Sequence, residues 1–157
     1  MGLFSRLFGR QPVESEPKPL WRTSRQQAPI RYVVIGSGDF DFDIVGESRY
    51  QDALDRICGG KTDGGHEIEV EAMLIEEPSN SHDANAVKVT IQGHTVGYLA
   101  RPDAEEYKHH VRYAGHAGQF VRVKAVIVGG WDRGRRGAGH YGVRLDMDMP
   151  PKVQAWS

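Results

Sequence analysis

Short stretches in which apolar and polar residues alternate dominate the chain from about residue 30 onward. The run "FDFDIVG" alternates strictly, so Phe40, Phe42 and Ile44 should face one side of a strand and three aspartates the other. Further β-branched or alternating runs are "IRYVVIG", "HEIEVEAMLIEEP", "NAVKVTI", "HTVGYLA", "FVRVKAVIVGG" and "YGVRLDM". Gln92-Gly93 lies between two of these runs and predicts a tight hairpin.

Two segments have helical spacing instead. In "SRYQDALDRICGG", apolar residues recur at Tyr50, Leu54 and Ile57, and a Gly-Gly pair ends the helix. In "PDAEEYKHHVRYAG", Pro102 suits the first turn, and acidic residues precede basic ones, as the helix dipole favours. The order β-β-α-β-β-β-α-β-β leaves few places for a crossover helix. We therefore predict a mainly β fold with two helices: a small OB-like or SH3-like antiparallel β-barrel.

The 157 residues have room for one domain with a modest core. Prolines without periodicity predict a disordered N-terminal tail and linker over residues 1–29, before a domain at 30–149 and a C-terminal tail at 150–157. The basic and apolar start, "MGLFSRLFGR", is compatible with a frayed terminus or a membrane-surface or partner-docking peptide. Apolar runs are too short for an integral membrane segment, so we expect a cytoplasmic protein. The single cysteine, Cys58, fits a reducing compartment.

Candidate catalytic groups are few. Asp39, Asp41 and Asp43 could present carboxylates to a metal ion, although an exposed sheet face has the same alternation. The seven histidines form no His-x-x-x-His pair, and "GGWDRGRRGAG" lacks the Gly-Lys-Ser/Thr ending of a phosphate loop. We therefore expect no enzyme, no cofactor and no metal site. A metal-dependent nuclease ranks last among the hypotheses.

Positive charge is local, because the net charge of the chain is only −1. The segment "WDRGRRGAGHY" sets Arg133, Arg135 and Arg136 among glycines, between a tryptophan and a tyrosine. Cations beside flat rings suit phosphates and stacked bases, and a solvated hairpin loop has the same composition. Lys88 and Arg101 add positive charge on or just beyond the predicted hairpin at 87–99.

The most polar stretch, "EEPSNSHDANAVKV", precedes that hairpin, and a self-capping turn alone could explain it. "VGESRYQDAL" lies upstream and "GHTVGYLAR" downstream. Together and in this order, the three blocks resemble the HIRAN domain family, over about residues 30–114. The resemblance implies a small OB-like barrel with two helices that captures the 3′ end of single-stranded DNA.

The same resemblance implies roles for individual residues. Asp83 matches the aspartate that bonds the terminal 3′-hydroxyl. An ionised carboxylate only accepts hydrogen bonds, so a free hydroxyl satisfies it and a 3′-phosphate is repelled. Arg101 matches a phosphate-binding position, with Tyr98 nearby, and Tyr50 keeps one aromatic of the upstream block.

Two positions depart from the family pattern. Arg49 replaces the first of two adjacent aromatics, and His82 replaces the second stacking ring. Both side chains are flat and can stack on bases, where each base–aromatic stack is worth about 1–3 kcal/mol. The predicted DNA-binding residues are thus Arg49, Tyr50, His82, Asp83, Lys88, Tyr98, Arg101, Arg133, Arg135 and Arg136.

The leading hypothesis is a DNA-binding module for the 3′-hydroxyl end of single-stranded DNA, in DNA repair or replication-fork processing. The sequence contains no helicase or nuclease domain, so we expect it to bind without cutting, with a helicase, nuclease or other repair protein as a candidate partner. The alternative is a protein-interaction adaptor that keeps the fold and has lost DNA-end binding. The replaced aromatics and the net charge of −1 favour this alternative.

Overall fold

The computed structural model describes residues 32–156, so the predicted tail and linker at 1–29 lie outside the described residues. The elements in chain order are β1 Tyr32–Val34, β2 Phe42–Asp43, α1 Gln51–Cys58, β3 His66–Glu76, β4 Val87–Ile91, β5 His94–Tyr98, α2 Arg101–Tyr113, β6 Val121–Gly129, β7 Tyr141–Leu145 and β8 Val153–Ala155. A 3₁₀ turn, Glu47–Arg49, precedes α1, and a second, Gly134–Arg136, lies between β6 and β7. The order agrees with the prediction as far as β7.

The strands form one curled sheet in the order β2-β7-β6-β3-β4-β5, and every neighbouring pair on this path is antiparallel. β1 lies parallel to β6 and antiparallel to β8. Just after β2, Val45 exchanges two backbone hydrogen bonds with Tyr98 at the end of β5, of 2.8 and 2.9 Å. This bridge joins the two ends of the sheet. The predicted fold class, a mainly β OB-like barrel with two helices, is therefore confirmed.

Glycines permit a tight turn and a close approach between strands in this barrel. In the β4–β5 turn, Gln92 and Gly93 both have positive φ, 51° and 79°, as a two-residue hairpin that follows the strand twist requires. At the closing bridge, a Cβ on Gly97 would lie 2.7 Å from the carbonyl oxygen of Val45. Only a residue without a side chain allows β5 to approach Val45 this closely.

The core lies inside the curl and is covered by the two helices. Leu74, Val89 and Ile127 from three neighbouring strands are at most 1% exposed, and Leu54 of α1 and Tyr107 of α2 pack onto the same cluster. Strand alternation and helical spacing thus place these five residues in the core. In the part of the chain that the structure describes, no helix is long and apolar enough to cross a membrane.

Two segments differ from the prediction. The "FDFDIVG" run keeps its alternating burial, but only Phe42–Asp43 joins the sheet, because Phe40 has a positive φ of 49° that interrupts an extended strand. In the predicted C-terminal tail at 150–157, Val153–Ala155 forms β8 against β1. Three residues carry too little periodicity to be recognised, and it is the contact with β1 that supplies their hydrogen bonds.

Candidate nucleic-acid interface

A cleft of about 480 Å³ opens where the two ends of the sheet meet. Three chain segments line it: the turn before α1, the β3–β4 loop, and the end of β5 with the start of α2. The lining residues are Val45, Gly46, Arg49, Tyr50, Asn80, His82, Asp83, Ala86, Tyr98, Leu99 and Arg101. These segments are the three blocks that carry the family resemblance. Barrel closure therefore brings all three blocks to one site.

The β3–β4 loop owes its shape to its own side chains. Asn80 Oδ1 accepts hydrogen bonds from the backbone N–H groups of His82 and Asp83, at 2.9 and 3.2 Å. Asp83 Oδ1 then accepts from the N–H of Asn85 at 2.9 Å. Such side-chain caps hold a turn in one conformation. The self-capping turn is thus present, and it occupies only one of the two carboxylate oxygens of Asp83.

The second oxygen of Asp83 faces the positive side of the cleft. Asp83 Oδ2 lies 4.0 Å from Nε of Arg101, at the limit of an ion pair. The Arg101 side chain is 76% exposed and that of Asp83 is 24% exposed. A long, exposed ion pair contributes little stability, at most about 1 kcal/mol. A hydrogen-bond acceptor and a cation therefore lie side by side, each accessible to a ligand.

Two tyrosines form the aromatic part of the cleft. The ring centroids of Tyr50 and Tyr98 are 6.4 Å apart, with their planes tilted by 44°. Burial raises the pKa of the Tyr98 hydroxyl, and hydrogen bonds with Glu77 and Tyr50 raise it further. The hydroxyl therefore stays neutral at physiological pH. Both rings are half-buried, so each keeps an exposed part inside the cleft.

Glu77 does not line the cleft but contacts Asn80, which does, and the sequence did not point to it. Its carboxylate accepts a hydrogen bond from Asn80 Nδ2 at 3.3 Å and lies 3.3 Å from Nζ of Lys88. Burial alone would raise the pKa of Glu77, but hydrogen bonds from Tyr98, Asn80 and Lys88, with the charge of Lys88, lower it. The sequence shows only an acidic residue between a predicted strand and Pro78, and this pattern does not reveal which side chains the carboxylate of Glu77 contacts.

The structure brings six of the ten predicted residues together along the cleft: Arg49, Tyr50, His82, Asp83, Tyr98 and Arg101. Lys88 does not line the cleft, and its ammonium pairs with Glu77. The β6–β7 loop, with its three arginines, also lies outside the cleft lining. Their roles in DNA binding stay predictions.

The β6–β7 loop is nevertheless well anchored. The Arg133 guanidinium lies 4.8 Å from the centre of the Trp131 ring and donates to the backbone carbonyl of Asp63 at 3.2 Å. At the end of the loop, Gln51 of α1 accepts from the N–H of Tyr141 at 2.8 Å and donates to its carbonyl at 3.0 Å. Gln51 follows Tyr50 directly, so one wall of the cleft is tied to the base of this loop.

The other candidate chemistries find little support among the described residues. Asp39, Asp41 and Asp43 are exposed, and Asp43 pairs with Arg144 at 3.8 Å. Within residues 32–156, no three His, Cys, Asp or Glu side chains are grouped so that they could hold a metal ion. Burial and the Asp55 charge raise the pKa of the Cys58 thiol, which disfavours the nucleophilic thiolate.

Comparison with known proteins agrees with this geometry. The family profile described as the HIRAN domain matches residues 37–129, which is more than half of the chain. The chain therefore belongs to the HIRAN domain family, a family of DNA-binding modules. No curated protein and no solved structure matches it. The matched residues include all three blocks that line the cleft, and they confirm the resemblance predicted from those blocks.

Proposed function

We propose that the cleft binds the 3′-hydroxyl end of single-stranded DNA. The observation that carries this proposal is the pairing of an acceptor and a cation: Asp83 Oδ2 lies 4.0 Å from Nε of Arg101. The terminal hydroxyl donates to Asp83, and the nearest phosphate of the strand meets the exposed guanidinium of Arg101. Because the existing ion pair is long and exposed, opening it for the ligand costs little.

The flat side chains of the cleft supply the remaining contacts. Tyr50 and Tyr98 present ring faces to the terminal bases, and Arg49 and His82 stack less strongly at the two positions where the family has aromatics. The cleft volume of about 480 Å³ lies within the range of small-ligand sites, so it holds the terminal part of a strand. Sequence readout is weak, since stacking tolerates every base.

The same geometry gives end selectivity. A 3′-phosphate places two negative charges against the Asp83 carboxylate, which is ionised and cannot donate a hydrogen bond. Arg101 offsets only part of this repulsion, because its side chain is 76% exposed and the interaction is screened by solvent. The protein therefore distinguishes a free 3′-hydroxyl from a blocked end.

The β6–β7 loop provides a second contact in this proposal. Arg135 and Arg136 are exposed, while Arg133 is held on Trp131. α1 has 8 residues and is about 12 Å long, and it connects Tyr50 in the cleft to the segment with Asp63, whose carbonyl accepts from Arg133. A strand that leaves the cleft along α1 therefore reaches the loop after a few nucleotides.

Free 3′ ends arise at breaks and stalled forks, so we place this activity in DNA repair or replication-fork processing. The protein would then work in the cytoplasm at the nucleoid, with a helicase, nuclease or other repair protein as partner. It acts as a binding module and carries out no chemistry of its own. The adaptor hypothesis remains the second candidate, because Arg49 and His82 replace aromatic platforms.

Fluorescence anisotropy separates the two candidates. The full chain is titrated against a short labelled single strand with a free 3′-hydroxyl, and against the same strand with a 3′-phosphate, at several salt concentrations. The proposal expects tighter binding to the hydroxyl, with a shallow slope of about −0.7 per phosphate contacted. Equal and strongly salt-dependent binding would indicate non-specific contact through the arginine loop. No binding to either strand would favour the adaptor.

A further inference from the structure

We propose that Glu77 is the positioning residue of the cleft, and that its half-buried carboxylate holds the side chains that would contact the DNA end. This inference rests on the proposed function, but its structural part can be tested without DNA. Glu77 directly follows β3, and its backbone N–H donates to the carbonyl of Ala86 at 2.9 Å, so its own position is fixed on both sides of the β3–β4 loop.

The first contact controls the acceptor that reads the hydroxyl. Glu77 Oε1 accepts a hydrogen bond from Asn80 Nδ2 at 3.3 Å, and this bond orients the Asn80 side chain. The opposite end of that amide, Oδ1, accepts from the N–H groups of His82 and Asp83. An amide has fixed donor and acceptor ends, so holding its nitrogen also aims its oxygen. Glu77 therefore helps to fix the backbone that carries the Asp83 side chain, through one intermediate residue.

The second contact involves Tyr98, which with Tyr50 forms the aromatic part of the cleft. Both Glu77 and Tyr50 raise the pKa of the Tyr98 hydroxyl, so both lie close to it, and the ring centroids of Tyr98 and Tyr50 are 6.4 Å apart. The backbone of Tyr98 pairs with Val45 on the opposite side of the cleft. Tyr98 therefore lies between the closing bridge and the Glu77 carboxylate. Glu77 thus links the aromatic part of the cleft to the β3–β4 loop, which carries Asp83.

The third contact makes the other two stable. A half-buried carboxylate without a counter-charge would lose solvation energy, and Lys88 Nζ at 3.3 Å supplies that charge. The side chains of Glu77 and Lys88 are each 26% exposed. With its ammonium committed here, Lys88 supports the carboxylate instead of contacting phosphate. Its effect on DNA binding is indirect in this account.

The test replaces Glu77 by Gln in the full chain and uses Glu71→Gln as the matched control. Glu71 lies on β3, outside the cleft, and also forms an ion pair of 3.3 Å, with Arg122. Both changes remove one carboxylate and one ion pair. DNA affinity for hydroxyl and phosphate ends is measured by anisotropy, thermal unfolding reports stability, and NMR hydrogen exchange follows the amides of His82 and Asp83.

For Glu77→Gln we expect about tenfold weaker binding of the hydroxyl end, because a neutral amide has only one acceptor oxygen where the two carboxylate oxygens now contact Asn80 and Lys88. The ratio of the affinities for the hydroxyl and phosphate ends falls towards one. The amides of His82 and Asp83 exchange faster, while the amides of β6 keep their protection. Glu71→Gln retains the wild-type affinity, preference and exchange in this loop. These results together support the positioning role.

Two results would overturn it. One is wild-type affinity and preference in Glu77→Gln. The other is a lower unfolding temperature with an unchanged preference ratio, measured well below unfolding, since that describes a residue needed only for stability. If the wild-type chain binds neither strand, the proposed function itself fails. In that case, the exchange of the His82 and Asp83 amides in Glu77→Gln still tests the structural part of the proposal. Faster exchange confined to the β3–β4 loop would support Glu77 as the residue that anchors this loop, and unchanged exchange would contradict that part as well.

Discussion

One carboxylate oxygen of Asp83 caps the backbone of Asn85 at 2.9 Å, and the other lies 4.0 Å from Nε of Arg101. The residue therefore has two separable roles. Its first oxygen shapes the β3–β4 loop, and its second is directed into the cleft. A substitution that changes only the second oxygen therefore tests the proposed ligand contact without removing the cap.

Replacing Arg101 by Met should weaken binding of single-stranded DNA about tenfold, because a phosphate loses its charged partner. The dependence of the binding constant on salt should also become shallower by about 0.7. Anisotropy titrations at four or five salt concentrations measure both quantities. Arg144→Met is the control, since Arg144 pairs with Asp43 and lies outside the cleft. An unchanged salt slope in Arg101→Met would show that this guanidinium meets no phosphate.

Replacing His82 by Tyr should strengthen binding, because a phenol ring stacks on a base better than an imidazole does. A gain of about 1 kcal/mol, or roughly fivefold in affinity, is expected from the magnitude of such stacks. The backbone of His82 is held by Asn80, so the exposed side chain can change without altering the loop. His94→Tyr, on the exposed hairpin, is the control. Equal affinities in the variant and the wild type would exclude this position as a stacking platform.

Removing two charges from the β6–β7 loop should matter only for longer strands. The double variant Arg135→Ala/Arg136→Ala should bind a strand of three nucleotides as the wild type does. It should bind a strand of twelve nucleotides several-fold more weakly, with a salt slope reduced by about 1.4 for two lost phosphate contacts. Isothermal titration across a length series provides the measurement. A loss of affinity that is independent of length would argue against the path along α1.

Replacing Gly97 by Ala should destabilise the barrel by about 1–3 kcal/mol, because the new Cβ would lie 2.7 Å from the carbonyl oxygen of Val45. Urea unfolding measures the change. Gly142→Ala on β7 is the matched control, since its Cβ would meet Val128 Cγ2 at an ordinary 3.5 Å. Similar stabilities for the two variants would mean that the Val45–Tyr98 bridge does not limit stability.

Local patterns predicted much of this fold. The two helices, the hairpin turn at Gln92-Gly93 and the long strands β3 and β6 follow from periodicity and turn residues, which are properties of neighbouring positions. β8 was not predicted, because three residues acquire their hydrogen bonds from β1. The bridge between Val45 and Tyr98 was also not predicted, because the two segments that it joins come together only in the closed barrel.

The position of the candidate site was predicted in part. The family resemblance pointed to Asp83 and Arg101, and the fold places both in one cleft, while their roles in DNA binding stay predictions. The pairing of Lys88 with Glu77 could not be read from alternation, which predicts only that Lys88 points away from the core. Which charge meets which is decided by packing between segments. For this reason the sequence did not point to Glu77.

The most direct test of the central claim is the ratio of affinities for hydroxyl and phosphate 3′ ends in Asp83→Asn. Asparagine keeps an oxygen to cap Asn85, and its amide nitrogen replaces the oxygen that faces the cleft. The account predicts that the wild type prefers the hydroxyl end about tenfold, and that Asp83→Asn loses or reverses this preference while the unfolding temperature stays close to that of the wild type. An equal preference for the hydroxyl end in both proteins would contradict the assignment of Asp83 as the residue that reads the DNA end.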